Sequence, residues 1–593
     1  MIVSNYFSDN EDLQLNFEYI VDWEILVQEY ENQFEDAKKY KETKDERFAT
    51  APDSLEAAID YYRTVLDAYG EISGKEVAPR AKAIDEKGLI FDKGKVIFPQ
   101  EMIEALEIIK EAGILPYSTL RENGGLGLPA SVQMMIAEII SRADASVAVC
   151  LGCVNLGETI ESFGSEEQIK KWVPLMTKGE YWGAMALTEP NHGSDLQRIQ
   201  TKAVKGEDGK WYITGTKRFI THGCGFADKP AIILTLARTG TPESGGKGLS
   251  FFIVDGRHVE IAKIEKKLGL HGSPTCEVVY ENVPAELIGE EGKGLIKYAI
   301  QMMNGARLSV AAQALGIAEA AYRESKKYAS ERIQFGKPIE QIPAVKRMLE
   351  NMEMEIVAMR SLLMEASKTV DMYHWRKNRM HRSKTPEREI RKDPHIYKWE
   401  KLADLFTPLS KFYNSEMANK IAYNAIQVFG GSGYIEEYDV ARIYRDARIT
   451  NIYEGTTQLQ VVAAIGNILS GMQEKGILKE YIDSELQNFP PSEKLIQLLR
   501  LFEDIVGHYR NIEDKEIKDG FAIEVVESGA RFLASLLIER SIARLNGKVS
   551  LDVIFKRKEI SNKYLNESIA ILSGNLQRIL LLTETERKEV LTH

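Results

Sequence analysis

Apolar residues recur along this chain at two periods, and the switch between them divides it. From about Ser54 to Gly179 the period is helical. Leu55, Ile59, Tyr62, Val65 and Tyr69 fall on one face of a first helix, PQEMIEALEIIKEAGIL gives a second and SVQMMIAEIISRADASVAVCLG a third. Ser165, placed before EEQIKKW, reads as the cap of a fourth. Between about Tyr181 and Val283 the period falls to two. WYITGTKRFITHG, AIILTLAR, LSFFIVDG, VEIAKI and TCEVVYENV read as short strands broken by Gly, Asp and Pro. From Gly289 the helical period returns, and Leu308, Ala311, Ala312, Leu315, Ile317 and Ala318 predict tight helix packing. Further amphipathic helices follow Ser470. The chain is therefore expected to be an α+β multidomain protein. Residues 1–50 form an N-terminal extension, 51–180 a helical domain and 181–288 a barrel-like β domain. Residues 289–470 form a helical bundle with an insertion around 371–400, and 471–593 an additional helical domain.

Bulk properties narrow this picture. At 593 residues the chain exceeds one ordinary core. Hydrophobic residues at 44% and charged residues at 28% suit a soluble globular protein. A net charge of -12 and a pI near 5.5 argue against nucleic acid as the main partner. No apolar run approaches the ~20 residues of a membrane span. The start, MIVSNYFSDNEDLQ, resembles neither a secretory signal nor a transit peptide, so a cytoplasmic protein is expected. The extension reads as a strand or helix that clamps onto the body, or as an oligomer contact, with a linker at Ala51-Pro52. The basic insertion reads first as a solvated excursion, then as a site for a phosphate or acidic partner, and last as a nucleic-acid contact. Four cysteines exclude a disulfide scaffold. Cys150 and Cys153 form a CxxC inside an apolar run and read as packed thiols, Cys224 and Cys276 are isolated, and no metal site is expected.

The candidate chemistry lies in Ala425–Gln460, AIQVFGGSGYIEEYDVARIYRDARITNIYEGTTQLQ. Glu454 stands between Tyr453 and Gly455. An aromatic neighbour can dehydrate a carboxylate and raise its pKa, and glycine lets a ligand approach the backbone. Upstream, Gly430, Gly431 and Gly433 leave backbone uncovered beside Gln427, which suits a flat or phosphorylated ligand. Taken singly, each feature is as readily a helix-start carboxylate or a turn.

Together, IQVFGGSGYIEEY and RIYRDARITNIYEGTTQLQ resemble the C-terminal signature of the acyl-CoA dehydrogenase family, a resemblance that covers roughly residues 55–470. It implies FAD as cofactor and Glu454 as the catalytic base. The loop Leu187–Asp195, LTEPNHGSD, is similar to the family's TEPxxGSD. There Thr188 would bond the flavin pyrimidine edge and Ser194 would lie near the CoA portion. Phe219 and Thr221 would stand beside the isoalloxazine and near its N5. Asn304 and Arg307 fall where the family contacts CoA. YASERIQFGKPI, residues 328–339, resembles the family's YAxxRxQFGxPI, in which Arg332, Gln334 and Phe335 reach the FAD of a neighbouring subunit. The resemblance also implies cofactor contacts from Gln427, Gly431, Thr456 and Gln458, and substrate contacts from Tyr453 and Gly455. Some members carry the base near Asn304–Ala306, but that stretch has no carboxylate here. The expected activity is oxidation of an acyl-CoA to a trans-2-enoyl-CoA. The expected partners are an electron-transfer flavoprotein and further copies of the chain in a homodimer or homotetramer. An acyl-CoA oxidase, or a non-catalytic family-like scaffold or nucleic-acid-binding protein, are the alternatives.

Overall fold

The computed structural model describes residues 1–580 and 582–592; Leu581 and His593, within the expected C-terminal domain, lie outside the described residues. In chain order the elements used below are helix α1 (Trp23–Tyr30), α2 (Leu55–Ile72), the hairpin β1 (Ile90–Asp92) and β2 (Lys95–Ile97), α3 (Ala130–Ala143) and α4 (Ala145–Val154). Strands β3 (Trp182–Ala186), β4 (Lys202–Lys205), β5 (Trp211–Thr221), β6 (Ala231–Arg238), β7 (Leu249–Asp255), β8 (Glu260–Ile264) and β9 (Thr275–Ile288) follow. Then come α5 (Ile300–Glu331), the hairpin β10 (Ile333–Gln334) and β11 (Lys337–Pro338), α6 (Pro343–Asp371), α7 (His374–Arg382) and α8 (Pro394–Phe429). The last are α9 (Asp439–Ala447), α10 (Thr457–Gly471), α11 (Glu493–Arg510), α12 (Ala522–Leu545) and α13 (Leu551–Leu580). No helix among the described residues is long and apolar enough to cross a membrane.

The chain forms two compact units. The first holds residues 1–9, 31–309 and 435–449. Its helices start as the sequence dictates. Ser54 Oγ accepts the Ala57 N–H at the head of α2, and Ser165 with Gln168 forms a reciprocal capping box. Strands β3 to β9 make one sheet in the order β3-β6-β4-β5-β9-β7, with β8 on β9. A further pairing of β6 with β7 closes β6, β4, β5, β9 and β7 into a barrel, which removes their open edges. β6 and β7 are buried along their whole length. Ile233, Phe252 and Val254 face one apolar cluster with Val278 and Tyr280. Leu234, Phe251 and Ile253 face another with Trp172 and Tyr298. A strand covered on both faces loses its alternation, which is why AIILTLAR and LSFFIVD read as continuous apolar runs.

Helix α9 belongs to this first unit. Arg442 pairs with Asp144 at 3.4 Å, Arg445 Nη1 with Asp85 at 3.0 Å, and Asp446 Oδ1 accepts the Leu270 N–H at 2.7 Å. Residues 1–9 lie across α2, where the Tyr6 N–H donates to Gly70 O at 3.0 Å. A Cβ on Gly74 would meet Ser4 O at 1.7 Å, so only glycine admits the segment there.

The second unit holds residues 10–30, 310–434 and 450–593. Helices α6, α8 and α10 pack in succession, and α12 packs on α6 and α10 while α11, α12 and α13 pack on one another. Buried ion pairs run along these seams. Arg540 Nη2 meets Glu365 Oε2 at 2.5 Å, and Arg531 reaches Glu355 at 3.4 Å. Asp12 accepts from both Arg360 of α6 and Arg557 of α13. Ile20 packs with Leu545 and Ile554. The stretch read as one N-terminal extension is thus shared between the units. The insertion is solvated only in part: residues 382–384, 386–389 and 391–392 are exposed, while others anchor it. Trp375, Asn378 and Ile390 are buried, Arg379 Nη2 donates to Glu29 O at 3.0 Å, and Arg376 pairs with Asp393 at 3.2 Å. Intramolecular carboxylates and carbonyls take up much of its basic character. The CxxC thiols are buried in α4, as expected. Cys224 and Cys276 are not isolated. The Cys224 Sγ donates to Gly225 O at 3.5 Å, and the interaction of the two neighbouring thiols pushes Cys224 above the ordinary thiol range and holds Cys276 below it.

Candidate functional site

In the first unit, β5 carries a bulge against β9 between Lys217 and Ile220. Phe219 occupies it with φ +61°, a left-handed conformation uncommon for an aromatic residue. A bulge re-aims one side chain, and the Phe219 ring is 55% exposed in this chain. The Arg218 guanidinium lies 4.8 Å from the ring centroid. The Arg218 N–H donates to Thr188 O at 2.9 Å, which brings the TEP loop and the bulge together. Thr221 closes β5 opposite Thr275 and is half-buried. Ser194 is exposed just beyond the tight Glu189–His192 turn.

Sequence reasoning passes over the pair that holds this arrangement. Lys217 Nζ, fully buried, donates to Leu187 O at 2.9 Å and Glu189 Oε1 at 3.0 Å. Glu189 also accepts the Gln200 and Thr201 N–H groups at 2.7 and 2.9 Å. Burial pushes the Lys217 ammonium down to about 8. Burial also works against the Glu189 carboxylate, but Lys217 and these donors hold it below its ordinary range. The signal was present as a Lys two residues before Phe219 and a Glu one after Thr188, without a rule to join them. Farther along this unit, Arg307 Nη1 donates to Asn304 Oδ1 at 3.0 Å, one helical turn away on α5.

In the second unit, the β10–β11 hairpin turns through Phe335 (φ +52°) and Gly336 (φ +76°). Two left-handed central residues make a tight hairpin turn of the type that matches strand twist. Arg332, Gln334 and Phe335 are all exposed, and Phe335 is 92% so. At the root of the hairpin, the Tyr328 ring stacks on Phe429 at 4.0 Å, beside the GGSG turn. Gln427 is exposed, and a Cβ on Gly430 or Gly431 would meet nothing within 4 Å, so that backbone is bare.

The YEGT loop links the end of α9 to α10. Glu454 has φ +54° and Gly455 φ +91°, so a carboxylate residue sits in a left-handed conformation ahead of a glycine. Such strain costs of order 1–2 kcal/mol and persists only where the surroundings enforce it. Tyr453 Oη donates to Gln313 Oε1. Glu416 accepts from Asn451 Nδ2 at 3.0 Å and from Thr457 Oγ1. Thr456 caps α10 by accepting the Leu459 N–H at 3.4 Å. Glu454 is half-buried and Gln458 exposed.

Comparison with known proteins bears on both units. Acyl-CoA dehydrogenase family models match here: the N-terminal domain over residues 60–180, the middle domain over 184–283, and the C-terminal domain over 292–385 and 396–466. A 3-methylmercaptopropionyl-CoA dehydrogenase of Ruegeria pomeroyi is 34% identical over 433 residues, covering 69% of this chain and 71% of the relative. A short-chain-specific acyl-CoA dehydrogenase of Megasphaera elsdenii is 35% identical over 420 residues, covering 69% and 98%. Among solved structures, an acyl-CoA dehydrogenase of Bacillus anthracis complexed with FAD superposes with a TM-score of 0.72 at 24% identity, covering 90% of each chain. That is a likeness of fold, and its extent is too great to stop at residue 470. Three matched domains in order, and curated relatives covered over more than two thirds of their length, lead to one conclusion: the chain belongs to the acyl-CoA dehydrogenase family.

Proposed function

We propose that this enzyme oxidises an acyl-CoA thioester to a trans-2-enoyl-CoA, with Glu454 as the base that removes the α-proton. The observation that carries this reading is the backbone of Glu454, a non-glycine residue held at φ +54° inside the YEGT loop. Stored strain at a carboxylate of a matched motif suits a group fixed for chemistry.

The cofactor of this family is FAD, and the residues present fit it. Phe219 offers an exposed apolar ring, Gly430 and Gly431 leave backbone bare, and Arg332 stands on an exposed hairpin. Thr188, Phe219 and Thr221 would hold the ring system, and Gln427, Gly431, Thr456 and Gln458 the remainder. Arg332, Gln334 and Phe335 would serve the cofactor of a neighbouring subunit, which implies a homodimer or homotetramer. Bound FAD supplies the acceptor for the hydride that leaves the β-carbon. Glu454 takes the α-proton, and its backbone N–H would donate to the thioester carbonyl oxygen, which carries the developing charge. One such donor is worth about 3–4 kcal/mol of transition-state stabilisation. Tyr453 and Gly455 would flank the acyl group, Ser194 and Asn304 would hold the CoA portion, and Arg307 would bind its phosphate. An electron-transferring flavoprotein is the proposed electron acceptor.

The test is anaerobic titration of the yellow protein with butyryl-CoA, octanoyl-CoA and 3-methylmercaptopropionyl-CoA, followed at the flavin absorbance band. At least one thioester should bleach the wild type, and Glu454→Gln should slow bleaching by at least a thousandfold while retaining FAD. A Glu454→Gln enzyme that bleaches at the wild-type rate would remove Glu454 as base.

A further inference from the structure

Glu454 and Gly455 turn through two successive left-handed residues, so their carbonyls leave the hydrogen-bonding pattern of a helix start and need donors from elsewhere. Two buried side chains supply them. Lys411 of α8 is fully buried, and its Nζ donates to Gly455 O at 2.7 Å. Gln460 of α10 is also fully buried, and its Nε2 donates to Gly455 O at 2.9 Å and Glu454 O at 3.1 Å. An ammonium withdrawn from water is costly, and a methionine of similar length would fill the same volume at no such cost. An amide that serves two adjacent carbonyls likewise fixes the orientation of both peptide planes. Glu416 ties the two ends of the loop through Asn451 and Thr457. The loop is thus held at its ends by one residue and at its strained centre by two others.

We propose that Lys411 and Gln460 are positioning residues that clamp the Glu454–Gly455 and Gly455–Thr456 peptides and so set the direction of the base. The inference rests on Glu454 being the base. A displacement of about 1 Å at a reacting group can cost on the order of a hundredfold in rate without changing substrate affinity. Removing the clamp therefore slows proton abstraction and leaves binding intact.

The experiment follows solvent deuterium entering the α-carbon by NMR, using the full-length enzyme with bound FAD in D2O. The thioester is the member of the three-compound panel above with the highest turnover, and no electron acceptor is added. Wild type, Glu454→Gln, Lys411→Met, Lys411→Gln and Gln460→Leu are compared. We expect Glu454→Gln to lose exchange. Lys411→Met and Gln460→Leu should exchange at least thirtyfold more slowly with KM within threefold of wild type, and Lys411→Gln, which keeps a donor, should recover part of the rate. Exchange at the wild-type rate in Glu454→Gln overturns the base assignment and the clamp with it. Loss of exchange in Glu454→Gln, with wild-type exchange in Lys411→Met and Gln460→Leu, overturns the clamp alone. So does a rise in KM that accounts for the whole loss of rate. If Lys411→Met does not fold, Gln460→Leu decides by the same criteria.

Discussion

His222 makes acid stability a quantitative test of the packing behind the β5 bulge. Its imidazole is fully buried, 6.0 Å from Phe98 in a stacked arrangement and 6.4 Å from Phe226. Nδ1 lies 3.2 Å from Gly225 O, which makes it the protonated nitrogen and a donor to that carbonyl. Burial pushes the ring down to about 4, against the backbone hydrogen bond, and the Lys267 charge adds to the fall. In the unfolded chain the same ring titrates near 6.5. The folded state therefore refuses a proton that the unfolded state accepts. The stability this group confers is full above about pH 6.5 and is lost as pH falls towards 4. The interval corresponds to about 3 kcal/mol, of which about 2 kcal/mol is gone by pH 5. Asp144 acts in the opposite sense. Burial raises it to about 7, so its contribution improves as pH falls. It is common to wild type and variant and cancels in their comparison. His222→Asn is the useful variant, because asparagine tolerates the left-handed backbone (φ +52°) and does not titrate. Urea unfolding followed by tryptophan fluorescence between pH 8 and 5 should show wild type losing about 2 kcal/mol more than His222→Asn. Parallel stability curves over that range would refute the reasoning.

Two further outcomes follow from side chains already described. Arg540→Met leaves the Glu365 carboxylate buried without its guanidinium, with Lys368 3.8 Å away and Arg544 also nearby. It should cost about 3–5 kcal/mol in urea unfolding, and a loss below 1 kcal/mol would show that these neighbouring cations compensate. Phe219→Ala removes the exposed ring of the bulge. It should weaken FAD binding about tenfold, read by fluorescence titration of the apoprotein, whereas an unchanged Kd would show that the ring does not touch the cofactor.

What was legible in the sequence was what is local. The period-2 runs of β5 and β9, the cap at Ser165 and the glycines around the YEGT and GGSG motifs depend on neighbours within a few residues. The backbone conformations at Gly430 and Gly455 follow from those residues themselves. What the sequence hid were partnerships over distance. Lys217 reads as a polar position on a strand, yet its ammonium lies in the barrel wall because Glu189 meets it from another loop. Lys411 sits on a helix turn that local pattern would leave to solvent. The anchoring of the basic insertion was hidden because one of its acceptors, Glu29, lies 350 residues away from Arg379. No period or spacing records an ion pair whose halves lie hundreds of residues apart.

The carboxylate of Asp12 accepts from Arg360 and from Arg557, and the second partner lies 545 residues downstream. On a ribosome adding about 5–20 residues per second, Asp12 emerges roughly half a minute to two minutes before Arg557 exists. For the first 348 residues of that interval neither cation exists, and for the rest the seam has Arg360 but not yet α13. Until α12 and α13 are made, the nascent chain must carry Asp12 short of one cation and Ile20 without Leu545 and Ile554, the apolar partners it packs on. Assembly of this unit therefore waits for α12 and α13, and a ribosome that stalls before they are made leaves the segment around Asp12 and Ile20, made hundreds of residues earlier, without its partners.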